Sequence, residues 1–135
     1  ATFPILLQNL QKDCDVSQKT SSFVLSLGIT LNMNGTALFQ ACSAVFFAQF
    51  YGIQLGITQY LLICLLTLFA AMSAAAIPSA GLVTLSLILS TLNIPIEGIA
   101  LIIGIDRILD MFRTTLNIWS NALGCILLDR NLKKY

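Results

Sequence analysis

Between Lys19 and Glu97 the chain carries no charged residue, and that gap constrains its fold more than any other feature of the sequence. A water-facing surface draws on charged side chains, which make up about 25% of ordinary soluble sequences. Here they make up 10% of 135 residues, while 57% are hydrophobic and the mean hydropathy is +0.88. The composition is that of a membrane protein. It excludes a soluble enzyme, and no nucleophile with its base and no phosphate loop is found. A net charge of +1 without histidine points to no nucleic-acid partner and no acidic-lipid anchor. Cys14, Cys42, Cys64 and Cys125 share no CxxC spacing, so they read as small buried hydrophobes and not as a zinc site or disulfide framework. The chain opens at Ala1 without a signal peptide, and it reads as a fragment.

The apolar runs are interrupted in informative places. Ser21 to Tyr51 as one helix would be roughly 45 Å long, against a hydrocarbon core of about 30 Å. Inside it, GITLNMNGTALF packs two asparagines, two threonines and two glycines into nine residues. The polar break from Asn32 to Thr36 predicts an unwound segment joining two partial helices. A second run, Tyr60 to Ala76, meets AAAIPSAG, where Pro78 and Gly81 mark a turn. The third run, Leu82 to Leu92, is about half of the roughly 20 residues needed to cross. Two arms around a turn, one too short to span, predict a re-entrant hairpin. Irregular backbone at such depth is tolerated only inside protein or beside a wet cavity, because unpaired peptide groups in lipid cost several kcal/mol each. Lys12, Lys19, Arg130, Lys133 and Lys134 then share one side, which places the C-terminus in the cytoplasm. Two full spans in place of the hairpin would keep the same parity.

The last apolar segment, Glu97 to Leu128, carries the chemistry. Asp106, Asp110, Arg113, Asn117 and Asn121 fall at i, i+4, i+7, i+11 and i+15. At about 100° per residue they form one polar stripe less than about 90° wide. Charges at bilayer depth mark a pathway or binding site, with Asp110 and Arg113 close enough to pair. The other reading is a structural ion pair that locks helix packing, and five aligned polar groups weigh against it. Arg107 and Glu97 lie off the stripe, as an interhelical contact and an interface anchor.

NMNGT, AAAIPSAG and GIDRILDMFRTTLN follow one another in the order in which similar motifs occur in the dicarboxylate/amino acid:cation symporters, the glutamate transporter family, which the chain resembles over its whole length. ATFP is similar to the end of that family's serine-rich first hairpin motif. The resemblance implies an all-α integral membrane fold: a broken transmembrane helix, a re-entrant helical hairpin and a final polar-striped transmembrane helix, half of an inverted-repeat transport domain. Residues 1–13 would be the second arm of the first hairpin, 20–51 the broken helix, 57–92 the second hairpin and 97–130 the last transmembrane helix. The chain would be about the last third of a homotrimeric transporter of the plasma or inner membrane, with no cofactor beyond its coupling ion.

The resemblance also implies roles. Asp110 would bind the substrate amino group and Arg113 its side-chain carboxylate, supported by Thr114 and Asn117, with Thr36, Ala76 and Pro78 completing the pocket. A planar guanidinium clamps a carboxylate through two hydrogen bonds, and an aspartate is the natural mate of an ammonium. Glutamate or aspartate is therefore the expected substrate. Gly28, Thr30, Asn32, Met33, Asn34, Asn117 and Asn121, together with Ala71, Met72 and Ala74, would form the sodium sites. Asp106 would orient Arg113 or take up a proton.

The sequence also departs from the family. Asn34 and Asn121 stand where the family has sodium-binding aspartates, and a neutral amide offsets much less of a cation's dehydration. Ala76 and Ser79 replace glycines and Ala74 a common threonine, which predicts a stiffer gate. The expectation is an acidic amino-acid symporter coupled to protons or to fewer sodium ions. A C4-dicarboxylate symporter and a degenerate non-transporting paralogue or scaffold are the alternatives. A channel has no ring of charges or filter repeat behind it.

Overall fold

The computed structural model of the chain describes residues 2–73 and 80–133, and every regular element among them is helical. In order they are α1 (Thr2–Lys12), α2 (Gln18–Leu31), α3 (Asn34–Phe50), α4 (Ile57–Ser73), α5 (Ala80–Thr91), a 3-10 turn at Ile96–Gly98, α6 (Ile99–Ile103) and α7 (Asp106–Leu132). Among the described residues, Gln18–Phe50 is the one helical stretch long and apolar enough to cross a membrane, at 33 residues. The apolar α4 and α5 are shorter, at 17 and 12 residues, and they pack against each other. Ala74, Ala76, Pro78 and Ser79 lie outside the described residues.

Local chemistry explains the helix ends. α2 starts at Ser17, whose hydroxyl accepts the Thr20 amide at 3.3 Å as an N-cap. It ends where Asn32 and Met33 leave the helical region, at φ −103°, ψ 79° and φ −106°, ψ 54°. The unwound part is shorter than the polar stretch Asn32 to Thr36 predicts, because Asn34, Gly35 and Thr36 form the first turn of α3. Small polar residues suit a first turn, where backbone donors are unpaired. α3 closes through Gly52 at φ 69°, with Gly52 N–H on the Gln49 carbonyl and Ile53 N–H on the Ala48 carbonyl. α5 closes the same way through Asn93, with Ile94 N–H on the Leu89 carbonyl. In both cases the isoleucine that follows turns into the core.

The segment read as one helix from Glu97 is divided. Ile105, at φ −113° and ψ 2°, donates to the Ile102 carbonyl three residues back, and α7 begins only at Asp106. Gly104 is a poor helix former, whereas a carboxylate is favoured in a first turn.

Two apolar clusters hold the helices. The larger joins Ala44, Phe47 and Ala48 of α3 to Ile63 of α4, Leu85, Ile88 and Leu89 of α5, Ile94 and Ile102. The smaller joins Leu10, Val16, Leu25 and Cys125. α7 bridges them, with Leu109 on the first and Ala122, Cys125 and Ile126 in the second. Arg113, Asn117 and Asn121 occupy the interval between the two.

Burial corrects the reading of the cysteines. Cys125 is buried, but Cys14, Cys42 and Cys64 are exposed. Cys64 shares an open face of α4 with Leu61, Leu65 and Leu68, which are also exposed. In a chain whose outer faces are themselves apolar, lying in an apolar run does not imply cover.

Candidate functional site

Arg113 projects from α7 toward α3 and the start of α5 and is buried at 8% exposure. One guanidinium nitrogen, Nη2, reaches Asp106 Oδ1 at 2.8 Å and Asp110 Oδ1 at 3.1 Å. The two acids differ in setting, since the Asp106 side chain is 20% exposed and that of Asp110 61%. Phe39 of α3 lies under the guanidinium, 4.4 Å from its carbon to the ring centroid, a cation–π contact that favours the charge. Arg113 Nε is buried and finds no hydrogen-bond acceptor among the described residues. Its Nη1 passes so close to Gly81 that a Cβ there would stand 2.6 Å away. The first turn of α5 therefore closes one side of the cation.

Further along α7 the stripe staples the break between α2 and α3. Asn117 Oδ1 accepts the Gly35 amide at 2.8 Å. Met33, which precedes α3, supplies no side-chain cap, so Asn117 caps that helix from another element. Asn32 Nδ2 donates to Asn121 Oδ1 at 2.7 Å and to Ser120 Oγ at 3.1 Å, and Ser120 Oγ donates to the Asn117 carbonyl at 3.1 Å. Close approach makes this possible: a Cβ on Gly28 would stand 2.5 Å from Asn121 Oδ1, and one on Gly35 would stand 2.5 Å from the Arg113 carbonyl oxygen.

The break turns two helix termini toward each other. The last carbonyls of α2 present the negative end of its dipole, and the first amides of α3 present the positive end of theirs. Such a junction suits a cation on one side and an anion on the other.

Of the residues singled out in the sequence, Asp106, Asp110, Arg113, Asn117, Asn121, Asn32 and Gly28 come together here. Thr36 is buried one residue beyond the Gly35 cap. Thr30 is exposed and donates to the Ser26 carbonyl of its own helix. Asn34 and Thr114 are exposed, Met33 is half-buried, Ala71 is buried and Met72 exposed, and among the described residues the ion pairs and the cation–π contact of Arg113 go to Asp106, Asp110 and Phe39 instead. Sequence reasoning missed Phe39, Ser120 and Gln40. Gln40 is fully buried, donates to Thr84 Oγ1 and to the Gly81 carbonyl, and so ties α3 to α5. A polar residue four positions beyond Thr36 on the same helical face was the available signal for it.

The sequence matches the description "Sodium:dicarboxylate symporter family" over residues 1–131. It is 40% identical over 134 residues to human "Excitatory amino acid transporter 3", covering 99% of this chain and 26% of that protein. An "Excitatory amino acid transporter" of Caenorhabditis elegans is 40% identical over 124 residues, which are 92% of this chain and 25% of that one. Human "Excitatory amino acid transporter 2" is 39% identical over 123 residues, covering 91% and 21%. The chain thus spans about a quarter of the length of the curated relatives it matches.

Proposed function

The chain belongs to the sodium:dicarboxylate symporter family, and from that premise we propose that it forms part of the transport core of a secondary active symporter for glutamate or aspartate. Its family is one of transporters and not of enzymes.

The observation that carries this reading is Arg113, a buried cation held by two acids of unequal exposure beside a broken helix. A guanidinium waiting for a carboxylate at depth needs counter-charge while the site is empty. An arriving substrate carboxylate takes the bidentate position and displaces Asp110, the more exposed acid. Asp110 then meets the substrate ammonium, while Asp106 stays on Arg113 and fixes its direction. A C4 dicarboxylate would set a second carboxylate against Asp110, a repulsion that favours the amino acid.

The coupling ion belongs at the end of α2, where the break leaves the last carbonyls beyond Gly28, whose own oxygen accepts the Asn32 amide, without a following helical turn. Asn34 and Asn121 bring no charge there, and Asn121 Oδ1 already accepts from Asn32. That favours coupling to fewer sodium ions or to protons. α4 and α5, of which the 12-residue α5 is too short to span, act as a re-entrant gate whose second arm rests on Arg113 at Gly81. The complete transporter is a homotrimer of the plasma or inner membrane with a cytoplasmic C-terminus.

The test is uptake of labelled glutamate and aspartate into proteoliposomes holding the complete gene product, under imposed sodium or proton gradients, with succinate as competitor. Gradient-driven uptake, inhibited more by acidic amino acids than by succinate, is expected. No uptake of either amino acid under any gradient overturns the proposal.

A further inference from the structure

About 24 Å along α7 from Arg113, the connector between α1 and α2 meets the end of the last helix. Ser17 N–H donates to Asp129 Oδ1 at 3.1 Å. Lys133 Nζ reaches Asp129 Oδ2 at 3.1 Å, the Asp15 carbonyl at 2.6 Å and Asp15 Oδ2 at 3.4 Å. These contacts engage both carboxylates at the junction with Lys133. Among the described residues no ion pair joins Lys12, Lys19 or Arg130 to an acid, and Asp13 is the remaining acid of the connector. By sequence this end carries Lys12, Lys19, Arg130, Lys133 and Lys134 against Asp13, Asp15 and Asp129, a modest basic excess, while Arg107 and Arg113 against Glu97, Asp106 and Asp110 leave the rest slightly acidic.

Beside Lys19 a cavity of 350 Å³ opens between α2 and α7, lined by Lys19, Thr20, Phe23, Val24, Leu128 and Leu132. Phe23, Leu128 and Leu132 are exposed, so the apolar wall is open from the side. The groove lies where apolar helix gives way to charged connector, the depth at which a bilayer changes from hydrocarbon to headgroup. A lysine at that depth lays its stem along apolar surface and lifts its ammonium toward the headgroups.

We propose that this groove holds one acyl chain of an anionic glycerophospholipid of the surrounding leaflet, with the headgroup met by Lys19. Charge complementarity selects this occupant: the walls accept hydrocarbon and the rim offers a cation that no carboxylate of the junction takes up. The inference rests on the chain being embedded in a membrane and is independent of the transported substrate. The modest net charge argued against an acidic-lipid anchor at the level of the whole sequence; the proposal departs from that expectation at this one groove, on the strength of Lys19 at its rim.

The test places the complete gene product, carrying Phe23→Trp, in nanodiscs containing brominated phosphatidylserine or, at equal mole fraction, brominated phosphatidylcholine. Quenching of the added indole is read by difference from the parent protein. Half-quenching at about five-fold less brominated phosphatidylserine than phosphatidylcholine is expected, the scale of one basic residue beside anionic lipid. Lys19→Gln, at an exposed position that leaves the fold intact, should abolish that preference while phosphatidylcholine quenching persists. Equal quenching by the two lipids, or a preference that survives Lys19→Gln, overturns the proposal. So does the absence of quenching by either lipid, which would mean that another part of the chain or a second copy covers the groove.

Discussion

Asn117 caps a helix that lies 82 residues before it, its side-chain oxygen accepting the Gly35 amide at 2.8 Å. A lost cap typically destabilises a helix start by about 1 kcal/mol. Asn117→Ala should therefore speed amide exchange at Gly35, Thr36 and Ala37, whereas Asn117→Asp, which keeps the acceptor, should leave those rates near the parent values. Equal exchange in both variants would show that the cap is not what holds the first turn of α3.

The two acids on Arg113 should separate under mutation. Asp106 is the more buried partner, so Asp106→Ala should lower thermal stability by about 1–3 kcal/mol, less than for a fully buried pair. Asp110→Ala should change stability by under about 1 kcal/mol, as exposed pairs do, yet remove acidic amino-acid uptake. Melting temperatures and uptake rates on the same preparations check both halves.

Glycine substitutions should grade by what the new methyl group meets. Gly35→Ala drives a Cβ against the Arg113 carbonyl and the Leu116 Cβ, and overpacking of this kind costs about 1–3 kcal/mol. Gly81→Ala meets only the tip of Arg113, which can move, so KM should rise several-fold with little loss of stability. Gly124, inside α7 with open space around it, should gain roughly 0.5–1 kcal/mol on change to Ala.

Asp129, in the charged last turn of α7 beyond its apolar part, predicts a pH window. Hydrogen bonding by Ser17, reinforced by Lys133, holds its carboxyl at about 2 instead of 3.8, and burial opposes this only in part. Asp129 in turn raises the Lys133 ammonium above its ordinary value. A depressed carboxyl pKa contributes stability that is complete above the unfolded value and lost as pH falls through the folded one. The connector should thus stay docked down to about pH 4 and loosen between about pH 4 and 2, read as amide exchange across residues 15–20 corrected for intrinsic rates. Asp129→Asn should show the loosened pattern already at neutral pH.

If the amides at 34 and 121 reduce sodium coupling, then restoring charge should increase it. Asn121→Asp can still accept the Asn32 amide group, so the geometry tolerates it. Asn34→Asp and Asn121→Asp should each steepen the sodium dependence of uptake, with the double variant steepest. Unchanged dependence in all three would place the coupling ion elsewhere.

The polar stripe of α7 was legible in the sequence because helical periodicity is a one-dimensional rule: the spacing from Asp106 to Asn121 alone puts these residues on one face. The break at Asn32 was legible for a related reason, since polar groups and glycine inside an apolar run oppose a continuous span. Its true length was not, because whether Asn34 starts a helix depends on a cap supplied from Asn117. Phe39 escaped notice since an aromatic residue in an apolar helix gives no hint of a cation beneath it. Asp129 gives no signal of its own in the sequence, and its role emerges only when the connector before α2 meets the end of α7. The cysteine reading held for Cys125 but failed for Cys42 and Cys64, where it assumed a core and the chain has an apolar exterior, and for Cys14, which lies in the polar connector.

The contact between Ser17 and Asp129 joins residues 112 positions apart. During synthesis at about 5–20 residues per second, Asp129 leaves the ribosome roughly 6–22 s after Ser17. For that interval the connector between α1 and α2 lacks the Asp129 carboxylate that accepts the Ser17 amide, and the ring closed by these two residues stays open. Premature termination between Ser17 and Asp129 would leave it open for good, so quality control that recognises an undocked connector would detect products truncated anywhere in that span by the same exposed segment.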